Sequence, residues 1–236
     1  MTTPSEPHPY SGFPVGLPVD PTPARRPGPV VLEGRFGRVE HLDAARHGEA
    51  FWEAVKDDDT VWTYMGVGAF ADAESLVGLL AERQQLVDPY WYAILEPSGQ
   101  AVGIASLMAI RPEFRVIEVG GIVYSPTLQR TPLATEAQYL LARYAFEDLG
   151  YRRYEWKCDA LNAASRRAAE RLGFAYEGLF RQHMIIKGRN RDTAWFSMLD
   201  SEWPARKQAF ERWLAPANFD ERGRQRTRLI RARTLR

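Results

Sequence analysis

From Val30 onward the chain switches between two hydrophobic periods. Residues 30–32 and 37–41 carry short apolar runs of strand character. After Asp43 the spacing lengthens, and Gly48, Phe51, Trp52 and Val55 fall on one stripe of a helix whose first amides Asp43 can cap. Residues 57–70 read as a loop holding two large aromatics, Trp62 and Tyr64. A second helix follows Asp72, with Leu76, Val77 and Leu80 as its apolar face. The segments WYAILEP, AVGIASLMAI and RVIEVGGIVY, broken at Pro-Ser-Gly and at Arg111–Pro112, predict a three-strand meander. Helical spacing returns over 134–148 through Ala137, Leu140, Leu141, Tyr144 and Ala145, and Gly150 ends it. YRRYEWKCD is a strand, Asn162 caps a short helix closed by Gly173, and FAYEGLFRQHMII and DTAWFSMLD are two further strands. Ser201 and Pro204 open a last amphipathic helix carrying Phe210, Trp213 and Leu214. The order ββ-α-α-βββ-α-β-α-ββ-α predicts an α/β (α+β) fold, a mixed sheet with helices on its faces.

Composition divides this pattern into three parts. Nine of the sixteen prolines lie in residues 1–29, which carry few large apolar side chains and so read as an arm, extended or draped over the body. Residues 30–215 form the single folded domain, and 216–236 an Arg-rich tail. Seven arginines and no acid fall in 222–236. With a net charge of +1 and a neutral arm, residues 30–221 are left at about −6. An acidic body argues against a broad nucleic-acid surface on the fold itself. The tail reads either as a solvated terminus or as a handle for an anionic partner. The apolar run around 103–110 is far short of the ~20 residues of a membrane span. The N-terminus lacks the layout of a secretory signal, and the single cysteine, Cys158, permits no intrachain disulfide, so a cytoplasmic setting is expected. Four histidines and one cysteine without ligand spacing give no expectation of a metal.

The chemistry concentrates where a strand runs through a short loop into a helix, VIEVGGIVYSPTLQRTPLATEAQYLLARYAFEDLG. A helix start presents unpaired amides and the positive end of the macrodipole to an anion. Small residues there (Thr131, Ala134, Thr135) permit close approach, and Arg130 adds a charged donor. Taken alone, the same residues serve equally as ordinary capping chemistry.

Two spaced blocks carry more. Gln129-Arg130-Thr131-Pro132-Leu133-Ala134-Thr135-Glu136-Ala137 resembles the phosphate motif of the GNAT superfamily of acyl-CoA-dependent N-acyltransferases. Asp159-Ala160-Leu161-Asn162-Ala163-Ala164-Ser165 through Leu172-Gly173-Phe174 resembles its second block. With Glu177-Gly178 and Gly188-x-x-Arg191-Asp192, residues 30–200 look closest to the ribosomal-protein N-terminal acetyltransferases and their small-amine-modifying relatives. The resemblance implies a mostly antiparallel central sheet of about seven strands. It implies acetyl-CoA as cosubstrate, held by Ile122, Val123, Tyr124, Gln129, Arg130, Thr131, Leu133, Ala134, Thr135, Asn162 and Arg166. Two positions depart from the pattern. Pro132 replaces a glycine and lacks one amide of the cradle, a loss that Arg130 and the Thr131 and Thr135 hydroxyls could make good as donors. Ala168-Ala169 stands where some members carry a tyrosine acid.

The resemblance further implies Glu118 as general base, Asn162 as a contact to the pantetheine arm and Ser165 as a donor to the departing thiolate. Each has a plainer alternative: a paired strand carboxylate, an N-cap and a solvated hydroxyl. Alternation places Ile117, Val119 and Val123 on one face and Glu118 with Ile122 on the other, with a bulge or close approach at Gly120-Gly121. Trp62, Tyr64, Phe180 and His183, with Arg181 and Trp195, are candidates for an acceptor cleft or for packing. Amides near Ile122–Tyr124 would stabilise the thioester oxygen if the strand splays there, as it does in the family. Deprotonating an α-amine at pH 7 costs only about 1 kcal/mol, against about 4.6 for a lysine, so a chain with no unmistakable base suits an α-amine or a small amine. The expected partner is an amine-bearing substrate, a protein N-terminus or a small molecule, with no membrane and a homodimer left open. Two rivals stay in view: a non-catalytic acyl-CoA-binding module, and a nucleic-acid-associated protein acting through the tail.

Overall fold

The Pro-rich arm carries a small ribbon of its own. In the computed structural model, which describes residues 4–229, β1 (Ser5–Pro7) pairs antiparallel with β2 (Pro14–Gly16), and both are solvent-exposed. Beyond it the arm lies against the body. The amides of Ala24 and Arg25 donate to the carbonyls of Pro112 and Leu149, and the Gly28 amide donates to the Tyr144 hydroxyl.

The remaining strands form one sheet. They are β3 (Val31–Glu33), β4 (Arg38–His41), β5 (Tyr90–Leu95), β6 (Ala101–Arg111), β7 (Val116–Tyr124), β8 (Arg153–Asp159), β9 (Ala175–Ile186) and β10 (Arg189–Leu199), in the order β3-β4-β5-β6-β7-β8-β10-β9. The sheet thus has eight strands where about seven were expected. Every neighbouring pair is antiparallel except β7 and β8, which run parallel from Val116–Val119 against Arg153–Trp156. A parallel pair requires a crossover, and α3 (Pro132–Arg143) supplies it, widening at its end into a turn over Tyr144–Asp148. The helix expected over 134–148 therefore begins two residues earlier, at Pro132 after the Thr131 cap, and loses regular α geometry after Arg143.

Each face has its own core. On one, α3, α4 (Ala163–Leu172) and α5 (Trp203–Leu214) pack on Ile117, Val119, Tyr154, Trp156 and Phe196. On the other, α1 (Ala44–Val55) and α2 (Ala73–Arg83) pack on Trp91, Ala93, Ile104 and Val123. Val123 corrects the simple alternation. The β6–β7 register shifts between Ile104/Val123 and Ser106/Gly120, and Gly121 adopts φ +60. This bulge exchanges the faces, so Val123 joins the α1/α2 core while Ile122 packs on the face of Ile117 and Val119.

The tail expectation also changes. Residues 216–229 fold back on the body. The Phe219 ring meets Phe36 and Trp213 edge-on at 5.2 and 5.3 Å, and the Gln225 side chain accepts from the Trp213 indole at 2.8 Å. Arg231, Arg233 and Arg236 lie outside the described residues. Among the described residues no helix is long and apolar enough to cross a membrane.

Candidate active site

The parallel β7–β8 pairing stops at Val119–Trp156, while β7 continues to Tyr124 along β6. The strands thus part beside the helix crossover. The Ser125 amide donates to Val102 on β6 at 3.0 Å. Since N–H direction alternates along a strand, the amides of Ile122 and Tyr124 point into the gap.

The gap opens onto the loop before α3. Ser125 organises this turn: its carbonyl accepts from the Leu128 and Gln129 amides, and its hydroxyl from Leu128 at 3.2 Å. Gln129 donates its side-chain amide to the Tyr124 carbonyl at 3.1 Å, and Arg130 takes φ +64, in the left-handed region. Thr131 Oγ1 donates to Leu128 at 2.7 Å and accepts from the Ala134 amide at 3.1 Å. Its hydroxyl is saturated within the turn. Thr131 thus has no hydroxyl hydrogen left to replace the donor lost at Pro132, while Thr135 is buried and accepts from Arg171 at 3.0 Å. Leu133 is buried in the core beneath the helix start. Among the described residues, the Arg130 and Leu133 amides of this loop have no carbonyl or hydroxyl partner. With the exposed Arg130 side chain they are what the loop offers to an anion.

Across the gap, the Asn162 side chain caps the Ser165 amide at 2.9 Å. Ser165 Oγ accepts from the Trp156 indole at 3.0 Å, so its hydroxyl is not simply solvated. Arg166 donates to the Ala160 carbonyl at 3.4 Å.

Glu118 lies on the α1/α2 face of β7, 7% exposed, and accepts from Lys157 Nζ at 2.7 Å. Burial pushes its carboxyl above the ordinary range, and the Lys157 ammonium pulls the other way. Lys157 also meets Glu155 at 2.9 Å and stands 3.9 Å over the Trp195 ring. The stack continues outward: Phe180 lies on Trp195 with centroids 4.4 Å apart, and His183 meets Phe180 edge-on while its Nδ1 shares a hydrogen with Thr193 Oγ1 at 2.9 Å. Carboxylate, ammonium and aromatic wall therefore form one continuous surface beside the gap.

The loop over 57–70 closes the opposite side. The Tyr64 hydroxyl donates to the Leu161 carbonyl at 3.3 Å, and Lys187 on the β9–β10 turn donates to the Trp62 carbonyl at 3.0 Å. Only its backbone brings Trp62 to the cleft. The indole is 3% exposed and packs edge-on against Phe51 and Phe70, so the aromatic ring proposed as cleft lining belongs to the second core. Arg181 is exposed on β9, and Cys158 is buried with its thiol pushed up by burial.

Sequence reasoning missed Lys157 and gave Arg191 no role beyond its place in a motif. Alternation in YEWKCD puts Lys157 beside Glu155, but its pairing with Glu118 arises only from the parallel register of two strands separated by a whole helix. Burial raises the pKa values of Glu118 and Cys158, with the Arg191 charge a smaller pull in the other direction on each, and the buried Nε of Arg191 has no partner among the described residues.

Known proteins share this architecture. The model of the acetyltransferase (GNAT) domain family matches residues 39–175. A GCN5-related N-acetyltransferase from Brucella melitensis superposes with a TM-score of 0.86 at 48% identity, over 88% of this chain and 96% of that one. The uncharacterized N-acetyltransferase YnaD of Bacillus subtilis (strain 168) is 30% identical over 156 residues, 64% of this chain and 89% of its own. The same organism's "Putative ribosomal N-acetyltransferase YdaF" is 30% identical over 109 residues, which span 46% of this chain and 59% of YdaF.

Proposed function

The chain belongs to the GNAT acetyltransferase family, and from that premise we propose that it moves an acetyl group from acetyl-CoA to a primary amine by direct attack. One observation carries the reading: β7 parts from β8 beside a helix start with free amides, and a buried carboxylate stands on the same strand. Acetyl-CoA bound along this gap supplies the activated acyl carbon. The Arg130 and Leu133 amides and the Arg130 guanidinium take the cosubstrate's phosphates, in place of the cradle amide lost at Pro132. The Ile122 and Tyr124 amides receive the negative charge that develops on the acyl oxygen as the C–N bond forms. The C–S bond then breaks and coenzyme A leaves as a thiolate, to which the Ser165 hydroxyl donates. Glu118 accepts the amine proton directly or through one water, its raised pKa bringing it nearer to the value a base needs at neutral pH. Lys157 neutralises the carboxylate between turnovers. Tyr64, Phe180 and His183 line the acceptor side, which accommodates a protein N-terminus or a small-molecule amine.

The experiment has two arms. Calorimetry of coenzyme A on the full chain and on Arg130→Ala is expected to show binding weakened by about 1–3 kcal/mol, the scale of a charge-assisted hydrogen bond. Thiol release from acetyl-CoA is then followed with a panel of amines. Binding without turnover of any amine leaves only an acyl-CoA-binding module, and no binding at all removes the assignment.

A further inference from the structure

Arg83, the last residue of α2, is a cation without a counter-charge. Its guanidinium lies 4.2 Å over the Trp91 ring, and among the described residues no carboxylate pairs with it. Its Nη1 is buried without a hydrogen-bond partner, as is the Trp91 indole N–H beneath it. Burial alone lowers the guanidinium pKa to about 10, with no opposing acid. Holding a charge in this state is costly, and among the described residues the face of the Trp91 ring is what offsets it.

The position explains what the cost serves. The far edge of Trp91 abuts Gly121 so closely that a Cβ there would sit 2.4 Å from the ring. On the neighbouring Gly120 a Cβ would sit 3.4 Å from Glu118 Oε1. Arg83, Trp91, the bulge and Glu118 are thus consecutive members of one wall, and the bulge leads directly to the Ile122 amide. An amine poised at Glu118 would leave the rest of its molecule free to reach α2. A guanidinium is planar, always charged at neutral pH and forked, which matches a carboxylate with two parallel hydrogen bonds.

We propose that Arg83 is a specificity-determining residue for the acceptor, and that the acceptor is an amine whose own molecule carries a carboxylate, which the Arg83 guanidinium takes. This rests on the acetyl-transfer reading for its amine. The carboxylate belongs to a free amino acid or to an acidic side chain near a polypeptide N-terminus, and the two sources are separable.

The test is binding of product-like probes to the full chain in the presence of coenzyme A, by calorimetry. A panel of N-acetyl amino acids is compared with the matching N-acetyl amino-acid amides. C-amidated N-acetyl dipeptides with and without a glutamate form the polypeptide arm. At least tenfold tighter binding of the acid over the amide is expected in one arm, and that arm identifies the source. Arg83→Gln should abolish the difference with coenzyme A affinity intact, and Arg83→Lys should keep only part of it. Arg83→Met should leave Tm close to that of the parent chain, because it removes the cost of a partly buried charge together with its stacking on Trp91. Equal binding of acid and amide, no binding of any acid, or a preference that survives Arg83→Gln overturns the proposal. Absence of acetyl transfer to any amine instead sinks the reading beneath it, while the acid-to-amide ratio still reports on Arg83.

Discussion

Glu118 is held between opposite influences. Burial favours its neutral form and Lys157 favours its charged form, and the balance falls toward a raised pKa. A base of this kind gains activity as pH rises through its own pKa, so the acid limb of kcat/KM is expected above the ordinary glutamate value of 4.5. Glu118→Gln should lower kcat by about 10²–10⁴-fold at neutral pH, the usual worth of a positioned base, with the loss shrinking at high pH as the amine deprotonates unaided. Lys157 retains Glu155 at 2.9 Å in that variant, so no cation is orphaned and the chain should stay folded. A kcat within about threefold of the parent chain would remove Glu118 as base, being far below that contribution. Glu118 stood out as a candidate base through the family resemblance, while alternation by itself read it equally as a paired strand carboxylate. Its partner was not legible, since Lys157 reaches Glu118 through a long-range register.

At the scale of elements, what was legible is what local chemistry decides. Asp43 caps the Ala45 and Arg46 amides, Asn162 caps Ser165, and Gly173 closes α4 at φ +100, all as the residue types demand. The face exchange in β7 was not legible, because Gly120-Gly121 announces an irregularity without saying how many residues it inserts. The two glycines differ in tolerance. A Cβ at Gly121 meets the rigid Trp91 ring at a positive φ, whereas one at Gly120 meets the flexible Met108 thioether. Gly121→Ala should therefore cost at least about 1–3 kcal/mol, the scale of a strained backbone alone, and Gly120→Ala less, measured by urea unfolding. A second element-level device ties α1 to β4. The Asp43 amide donates to His47 Nδ1 at 3.1 Å, which leaves Nε2–H to donate to Glu40 at 3.1 Å. Burial lowers the His47 pKa against the pull of Glu40, so the unfolded chain binds its proton more readily. Stability must then fall as pH drops below 6.5, the unfolded value, and the loss stops once the folded pKa is passed. Glu40 has its own lowered pKa, so its contribution persists in that window and is lost only below 4.5. A plot of Tm against pH should be flatter just below 6.5 in His47→Gln than in the parent chain. An unchanged slope would place the titration elsewhere, with His41, also lowered by burial, as the next group to replace.

Over the whole molecule, charge and packing assign different roles to the C-terminal segment. Its arginines oppose an acidic body of about −6, which invites a purely electrostatic account of why residues 216–229 fold back. The contacts argue otherwise. Phe219 fills the angle between Phe36 and Trp213, Asn218 donates to the Trp213 carbonyl at 2.8 Å and accepts from the Thr227 amide at 2.8 Å, and Gln225 accepts from the Trp213 indole. Arg222, Arg224, Arg226 and Arg228 are exposed, and none is in an ion pair within the described chain. Sequence composition drew attention to the arginines because they are many, while the single aromatic that docks the segment gave no periodic signal. Phe219→Ala should accordingly destabilise the chain by about 1–3 kcal/mol, the worth of burying most of one large side chain. Replacing the four arginines with serine should stay within about 0.5 kcal/mol, as exposed substitutions do. The reverse ranking, with stability tracking the arginines and falling with added salt, would make the docking electrostatic and return the segment to the role of a charged tail.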